Sequence, residues 1–487
     1  MIFNSMHFII FFPFVVIFYY FIPHKMQCHW LVLCNYYFYM CWNIKWGILL
    51  LGLTVFTYFC GLIIDKFQRA DCKQKAFKTL CFGICLSLVI FVFYKYSPFI
   101  INNIGRIFKV NISPSFDIIA PIGISFYSLQ MLTYLIDLYH NDVKVEKNIF
   151  KYAAFTSFFP SLCSGPIGRA TLFLPQTHKV YKYNYDKIKN GFLLMLWGFF
   201  QKLVISDRIG IFVDSIYGDY NSMPGYLLLM ATILYAFQIY CDFSGYSDIA
   251  IGTSEVLGFN LIINFKQPYF SKSISEFWRR WHISLSTWFR DYIYIPLGGN
   301  RKGKLVKYRN ILIVFLISGL WHGASWNYVV WGILHGIFQI MGDLTGTLRE
   351  KLRKLLHIRT ECFGYSLFQC VITFCLVDIA WIFFRAPGAL AALRILRRII
   401  ELDLSNFSFS FLTNYGLSTA DFLLLLFSVI ILISVDVLRG HVNIREHVMK
   451  QNLFFRWLLY YGIIFFILIF GIYGPGYDAG TFVYMQF

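Results

Sequence analysis

The sequence predicts an all-α, polytopic integral membrane protein. Of its 487 residues, 58% are hydrophobic and only 14% are charged, whereas about 25% of the residues in a soluble domain carry a charge. Apolar runs close to the roughly 20 residues that span a bilayer recur from end to end. We therefore expect about 11 to 12 tilted transmembrane helices, together with re-entrant and interfacial helices.

The individual spans are predicted from these apolar runs. They lie near Met6–Ile22, Trp30–Trp42, Gly47–Ile64, Ala76–Tyr94, Ile118–Tyr139, Gly191–Val213, Tyr226–Tyr246, Ile311–Trp321, Trp326–Met341, Ser366–Phe384, Phe422–Val437 and Phe455–Ile472. No internal repeat and no low-complexity linker separates them. We therefore expect a single membrane domain.

Two apolar segments do not fit a simple span. Phe150–Gly168 ends in prolines and glycines, so it cannot form one continuous helix. Ile311–Met341 is too long for one span and is interrupted at Gly319–Asn327, which predicts a helical hairpin with its turn deep in the protein. Broken backbone at membrane depth requires protein or a wet cavity around it.

The basic residues fit a membrane protein better than a nucleic-acid-binding one. The net charge is +18, but the excess lies in short loops beside apolar runs, as in cytoplasmic loops. We therefore expect the lipid bilayer as a partner and no nucleic acid. The loops placed in the cytoplasm are Lys66–Lys78, Arg169–Lys189, Lys266–Arg309, Arg349–Arg359 and Arg439–Arg456; only Arg385–Arg398 falls on the outer side.

Several classes of site lack their sequence motifs. The 12 cysteines are scattered, and no C-x-x-C pair occurs, so we expect neither a bound metal nor a redox pair. The motifs of serine hydrolases, zinc proteases, P-loop proteins and dinucleotide-binding proteins are also missing. No bound cofactor is predicted.

Ionisable residues at membrane depth are costly, which makes each one a candidate functional residue. The strongest is His322, which lies in the predicted hairpin break between Trp321 and Gly323. An imidazole can take a proton from a hydroxyl near neutral pH. The alternative is a buried histidine that only bonds a neighbouring helix.

A second candidate, His282, lies in a predicted amphipathic helix at the cytoplasmic interface. Ser273 and Glu276 have capping-box spacing, which predicts that the helix begins there. His282 is one turn beyond Trp278 and therefore faces the apolar side or its edge. An interfacial helix with an incidental histidine is the alternative.

Two carboxylates and two serine hydroxyls occur at the end of a predicted span, in the stretch Asp242–Asp248. Asp242, Ser244 and Asp248 could orient a histidine or bind a polar substrate. They could equally satisfy unwound backbone. A third histidine, His335, is interpreted as a packing residue.

Taken together, these segments resemble the membrane-bound O-acyltransferase (MBOAT) family, in particular its bacterial branch of alginate and peptidoglycan O-acetyltransferase membrane subunits. The resemblance is strongest from Tyr240 to Gly342 and extends more weakly over nearly the whole chain. Its motifs are Asp242–Asp248, Asn264–Tyr269, Phe277–His282, Arg290–Asn300 and Gly319–Gly323.

The resemblance implies a ring of tilted helices around a thin centre, with funnels from both faces meeting at a histidine. His322 corresponds to the presumed catalytic residue and His282 to its upstream partner. Residues 1–139 would be N-terminal helices, 150–342 the catalytic core, and 366–487 the C-terminal helices. We further expect Trp278, Arg279, Arg280 and Trp321 to contact substrate.

The implied function is an O-acetyltransferase of a bacterial cytoplasmic (inner) membrane. A cytoplasmic thioester, acetyl-CoA, would be the donor substrate, and an extracytoplasmic polysaccharide the acceptor, reached through a partner transferase of the SGNH type. Tyr484 lies in a C-terminal aromatic motif like one proposed to carry the acyl group in this branch, although Val483 and Met485 depart from the usual Ile and Phe. A terminal aromatic anchor is the alternative for Tyr484.

Two other functions stay open from sequence alone. Within the family, the subunit that transfers D-alanine to teichoic acids is a rival, although that branch usually carries its tyrosine motif on a separate peptide. A polytopic transporter is the rival from another class, and its expected internal repeat is missing.

Overall fold

The computed structural model describes residues 1–109, 119–402 and 415–473. It is 77% helical, and no strand occurs among these residues, which confirms the all-α prediction. The helices are α1 Met6–Phe21, α2 His24–Met40, α3 Ile44–Arg69, α4 Lys73–Phe108, α5 Ile124–Tyr139, α6 Ile149–Thr156, α7 Phe159–Leu162, α8 Ala170–Thr177, α9 Tyr185–Phe199, α10 Asp207–Gly218, α11 Gly225–Val256, α12 Ile274–Arg280, α13 Ile283–Phe289, α14 Lys304–His322, α15 Trp326–Leu344, α16 Gly346–Leu355, α17 Phe363–Arg385, α18 Ala389–Glu401, α19 Thr419–Arg439, α20 Ile444–Met449 and α21 Leu453–Phe470. Two π-helical segments cover Phe200–Ser206 and Arg290–Tyr294, and a 3₁₀ turn covers Pro268–Phe270.

Seven of the described helices are long and apolar enough to cross a membrane. They are α3, α4, the continuous run Tyr185–Gly218, α11, α17, α19 and α21, while α1 is apolar but shorter. The polytopic prediction is confirmed, but the expected number of 11 to 12 spans is larger than this. The difference arises where predicted spans form shorter helices, as in α2 and α5 with 17 and 16 residues, or the two arms of a hairpin, α14 and α15.

The described part of the chain divides into two compact units, each built from two stretches of sequence. The first contains Met1–Phe199 and Tyr246–Ile262, and the second contains Phe200–Gly245 and residues 263–473. A single membrane domain over the whole chain, as predicted from sequence, stays a prediction.

The first unit is centred on α5, in which 14 residues are buried. Asn35 of α2 supports the predicted break in the segment 150–168. Its amide group donates to Ser157 Oγ at 3.3 Å, and its carbonyl oxygen accepts from the backbone N–H of Phe159 at 3.1 Å. These bonds satisfy polar groups between α6 and α7, as a broken helix in an apolar setting requires. The predicted break is confirmed.

The second unit contains the predicted hairpin, formed by α14 and α15 with a break at Gly323–Ser325. The two helices approach closely because glycines face each other's backbones. A Cβ added at Gly319 would overlap the carbonyl oxygen of Tyr328, and one at Gly332 would overlap that of Phe315. Small residues allow such contact between membrane helices. The hairpin prediction is confirmed.

This packing predicts that Gly332→Ala destabilises the protein. The added methyl group forces α15 away from α14, and overpacking of this kind costs about 1–3 kcal/mol. Gly342→Ala, in the same helix, is the matched control because nothing lies within 4 Å of a Cβ there. Thermal unfolding in detergent should show a lower midpoint for Gly332→Ala alone. Equal midpoints for the two variants would contradict the close-packed hairpin.

Candidate active site

His322 is the last residue of α14, at the point where the hairpin breaks. Aromatic rings surround its imidazole edge to face: the centroid of Trp331 lies at 4.9 Å, that of Trp321 at 5.0 Å and that of Phe384 at 5.4 Å. The residue is only 2% exposed. A substrate must therefore enter between these rings to reach it. Open funnels from both faces stay a prediction.

His282 lies at a second break, between α12 and α13. The sequence predicted one amphipathic helix here, and that prediction is wrong after Arg280. Ser273 does cap α12, accepting from the N–H of Glu276 at 3.2 Å. His282, however, has left-handed backbone angles, with φ 45° and ψ 53°, a conformation that histidine tolerates better than most residues.

Asn264 explains why the helix breaks at His282. Its backbone carbonyl accepts from the N–H of Ile283 at 2.9 Å, and its side-chain oxygen accepts from the N–H of Ser284 at 3.3 Å. These are two of the first N–H groups of α13, which have no partner within their own helix. The segment around Asn264 therefore replaces a helical turn and turns the imidazole into the interior.

The His282 imidazole is fully buried and packs against Phe243 and Trp321. The ring centroids are 4.7 Å and 6.0 Å away. Burial lowers the pKa of this imidazole to about 3, because a low-dielectric setting disfavours the charged form. The ring is therefore neutral at pH 7 and is a weak base. Both candidate histidines thus contact the Trp321 indole, which brings the two sequence motifs together.

The predicted substrate contacts on α12 differ in their surroundings. Trp278 is buried, and its indole N–H donates to Nδ1 of His335 at 3.2 Å. Arg279 is exposed. Arg280 is half-buried and pairs with Glu276 at 2.6 Å. Only the two arginines are therefore open to a large anionic ligand, and their role in binding stays a prediction.

Asp242 and Ser244 lie within the continuous helix α11, so the alternative that they satisfy unwound backbone does not hold. Asp242 is fully buried and forms an ion pair of 2.6 Å with Lys202, which is also 2.8 Å from Asp207. Ser244 donates a hydrogen bond to the side-chain oxygen of Gln201. These polar groups satisfy one another inside the protein, which allows α11 to stay helical.

The remaining predicted residues lie elsewhere. Asp248 is half-buried and belongs to the first unit. Tyr484 lies outside the described residues. Among residues 1–109, 119–402 and 415–473, no group of three or more His, Cys, Asp or Glu side chains could hold a metal ion.

Three buried charges near the π-helical segment are not predicted from the sequence. Lys202 pairs with Asp242 and Asp207, whereas Arg208 pairs with Asp421. Lys202, Asp207 and Arg208 all lie within the apolar run Gly191–Val213, which was interpreted as a simple span. Three ionisable residues at membrane depth were the available signal. The π-helical segment that carries Lys202 has no comparable sequence signature.

Comparison with known proteins identifies the family. The family model of membrane-bound O-acyltransferases matches residues 143–377, which include both candidate histidines. A probable alginate O-acetylase of Pseudomonas syringae pv. tomato is 37% identical over 397 residues, covering 80% of this chain and 73% of the relative. The peptidoglycan O-acetyltransferase of Helicobacter pylori is 36% identical over 400 residues, covering 77% and 74%.

A more distant relative is the teichoic acid D-alanyltransferase of Bacillus subtilis. It is 27% identical over 342 residues, covering 66% of this chain and 85% of the relative. All three relatives are named as enzymes that transfer acyl groups, and the resemblance predicted from the motifs is confirmed. The chain belongs to the membrane-bound O-acyltransferase family and is a membrane O-acyltransferase.

Proposed function

We propose that the protein transfers acetyl groups from acetyl-CoA, bound from the cytoplasm, toward polysaccharides of the bacterial cell envelope. The observation that carries this proposal is the buried His322 imidazole at the break of the α14–α15 hairpin. The relatives named as O-acetylases of alginate and peptidoglycan support acetyl as the acyl group and a polysaccharide as the final acceptor.

The proposed chemistry begins with general-base catalysis by His322. Its imidazole takes the proton of an acceptor hydroxyl as the oxygen attacks the thioester carbonyl. The C–S bond then breaks, and the imidazolium returns the proton to the leaving thiolate. One ester and one thiol form, with no net gain or loss of protons.

The surrounding aromatic rings suit this reaction because they exclude water. Trp321, Trp331 and Phe384 cover the His322 imidazole, so water has little access to the thioester. Hydrolysis of the donor would otherwise compete with transfer. The neutral, weakly basic His282 is better suited to orient a reacting group through hydrogen bonds than to remove a proton.

The donor is proposed to enter near the basic loop Lys266–Arg309. Arg279 and Arg280 lie at the end of α12, within this segment, and at least part of each side chain is open to solvent. Guanidinium groups bind phosphates well, and CoA carries a diphosphate and a further phosphate group. The attraction between these guanidinium groups and the phosphates of CoA therefore supports entry of the donor near α12.

Tyr484 is proposed to receive the acetyl group first, and an extracytoplasmic transferase of the SGNH type is proposed to move it to the polysaccharide. A phenol has a pKa near 10 and needs a base to become a nucleophile. His322 would be that base.

A D-alanine donor is the second candidate, supported by the Bacillus subtilis relative. Its lower identity and the fused Tyr484 favour acetyl transfer. The transporter alternative is not supported, because the chain belongs to a family of acyltransferases.

We expect His322→Ala to abolish acetylation of envelope polymers, because no other group would take the acceptor proton. Ester-linked acetate is measured chemically in cells that produce equal amounts of each variant. His178→Gln is the control, since this histidine pairs with Glu146 in the first unit. Unchanged acetylation by a correctly inserted His322→Ala protein would remove His322 from the mechanism.

His282→Asn should lower acetyl transfer by about tenfold or more, because small errors in the position of reacting groups are costly. Asparagine is chosen since it accepts the left-handed conformation while removing the imidazole. The initial rate of thiol release from acetyl-CoA by the reconstituted protein reports the loss. Full activity in this variant would restrict His282 to a structural role.

Tyr484→Phe should abolish covalent labelling of the protein by acetyl-CoA that carries a radioactive acetyl group. The substitution removes the hydroxyl that forms the ester and keeps the ring. Tyr473→Phe is the control, since Tyr473 is exposed just before the last 14 residues. Label that persists in Tyr484→Phe would disprove the relay.

A further inference from the structure

The helix α11 is held by two consecutive residues of the π-helical segment Phe200–Ser206. Lys202 forms the ion pair of 2.6 Å with Asp242, and Gln201 accepts a hydrogen bond from Ser244. All four side chains are buried. Asp242 and Ser244 are the two neighbours of Phe243 in the sequence.

These contacts fix the rotation of α11 about its own axis. Successive residues of an α-helix are about 100° apart, so Asp242 and Ser244 flank the direction in which Phe243 points. Two separate bonds on either side of Phe243 resist rotation in both directions. A buried ion pair is also geometrically demanding, because moving either partner leaves an uncompensated charge.

Phe243 transmits this fixed position to His282. Its ring meets the His282 imidazole at 4.7 Å between centroids and 82° between planes, an edge-to-face contact. Phe243 also packs against Phe265, with 5.0 Å between the ring centroids. A small rotation of α11 would therefore move the surface against which His282 rests.

The π-helical segment is itself held in place by hydrogen bonds to other parts of the second unit. The backbone carbonyl of Val204 accepts from the Arg208 guanidinium at 3.0 Å, and that of Leu203 accepts from the N–H of Ile472 at 2.9 Å. The Arg208 guanidinium also donates to the carbonyl of Phe470 at 2.9 Å. π-Helical turns disturb the regular helical ladder and occur frequently at functional sites. Here these hydrogen bonds connect the π-helical segment that carries Gln201 and Lys202 to the end of α21.

We propose that Gln201 and Lys202 are positioning residues for acyl transfer: they hold Asp242 and Ser244 so that Phe243 keeps the His282 imidazole in its reactive orientation. This inference rests on the proposed role of His282. It gives Asp242 and Ser244 a role in supporting the site. From sequence alone, orientation of a histidine, substrate binding and the satisfaction of unwound backbone all stay open for these residues.

The test removes the three buried charges together, so that none is left without a partner. The variant carries Lys202→Met, Asp207→Asn and Asp242→Asn. We expect thiol release from acetyl-CoA by the reconstituted protein to fall by about tenfold. Phe243→Leu alone should cause a similar loss. We call this triple substitution the charge-free variant. If it prevents insertion into the membrane, Asp242→Asn alone takes its place as a milder change.

Combining the charge-free variant with Phe243→Leu distinguishes positioning from general damage. If the charges act through Phe243, the combined variant loses less than twofold more than Phe243→Leu alone, since the shared pathway is already broken. The proposal is wrong if the two losses multiply in the combined variant. It is also wrong if the triple variant, or Asp242→Asn where the triple variant does not insert, keeps full activity.

The matched control removes a different buried hydrogen bond of the same unit, between Tyr217 and Thr232 at 2.8 Å. Tyr217→Phe with Thr232→Val should change the rate by less than twofold and should not couple to Phe243→Leu. Full activity of His282→Asn would instead refute the proposed role of His282. The two failures are therefore distinguishable.

Discussion

The close backbone contact between α14 and α15 determines where the proposed base lies. Because Gly319 and Gly332 have no side chains, backbone carbonyls of each helix can approach the glycine of the other. The turn between the two helices begins directly after His322. Any side chain beyond hydrogen at either glycine would separate the helices. The proposed position of the catalytic imidazole therefore depends on two residues that have no side chain at all.

The second constraint is the burial of polar groups in an aromatic interior. His282 and His322 both pack against Trp321, and neither histidine is more than 2% exposed. Such burial excludes water from both rings. It also makes the support around each ring important, because a displaced polar group in this setting cannot be rescued by solvent. For His282, Asn264 fixes the backbone break, and the charges around Lys202 are proposed to keep Phe243 against the ring.

Much of the fold follows from local sequence features. The hairpin break could be predicted because Gly319, Gly323 and Ala324 interrupt a long apolar run, and the N-cap of α12 because Ser273 precedes Glu276 at the right spacing. The break at His282 could not be predicted in the same way. It depends on Asn264, a residue outside the helix whose bonds to α13 become visible only in three dimensions.

The surroundings of Asp242 were unpredictable for a related reason. Carboxylates at the end of an apolar run indicate either function or unwound backbone, and the choice depends on what lies opposite. Lys202 is 40 residues earlier in the chain, and the π-helical segment that carries it has no sequence signature. Long-range ion pairs of this kind leave α11 intact where sequence alone suggests that it ends.

Base catalysis by His322 can be tested with a cryo-electron microscopy structure of the protein bound to a non-hydrolysable acetyl-CoA analogue, in which the distance from His322 to the bound acyl group is measured. We predict that the acyl carbonyl lies within about 5 Å of the imidazole, close enough for a hydroxyl between them to attack at about 3–3.5 Å. Analogue bound with its carbonyl far from His322, while the aromatic rings around that histidine stay closed, would contradict it.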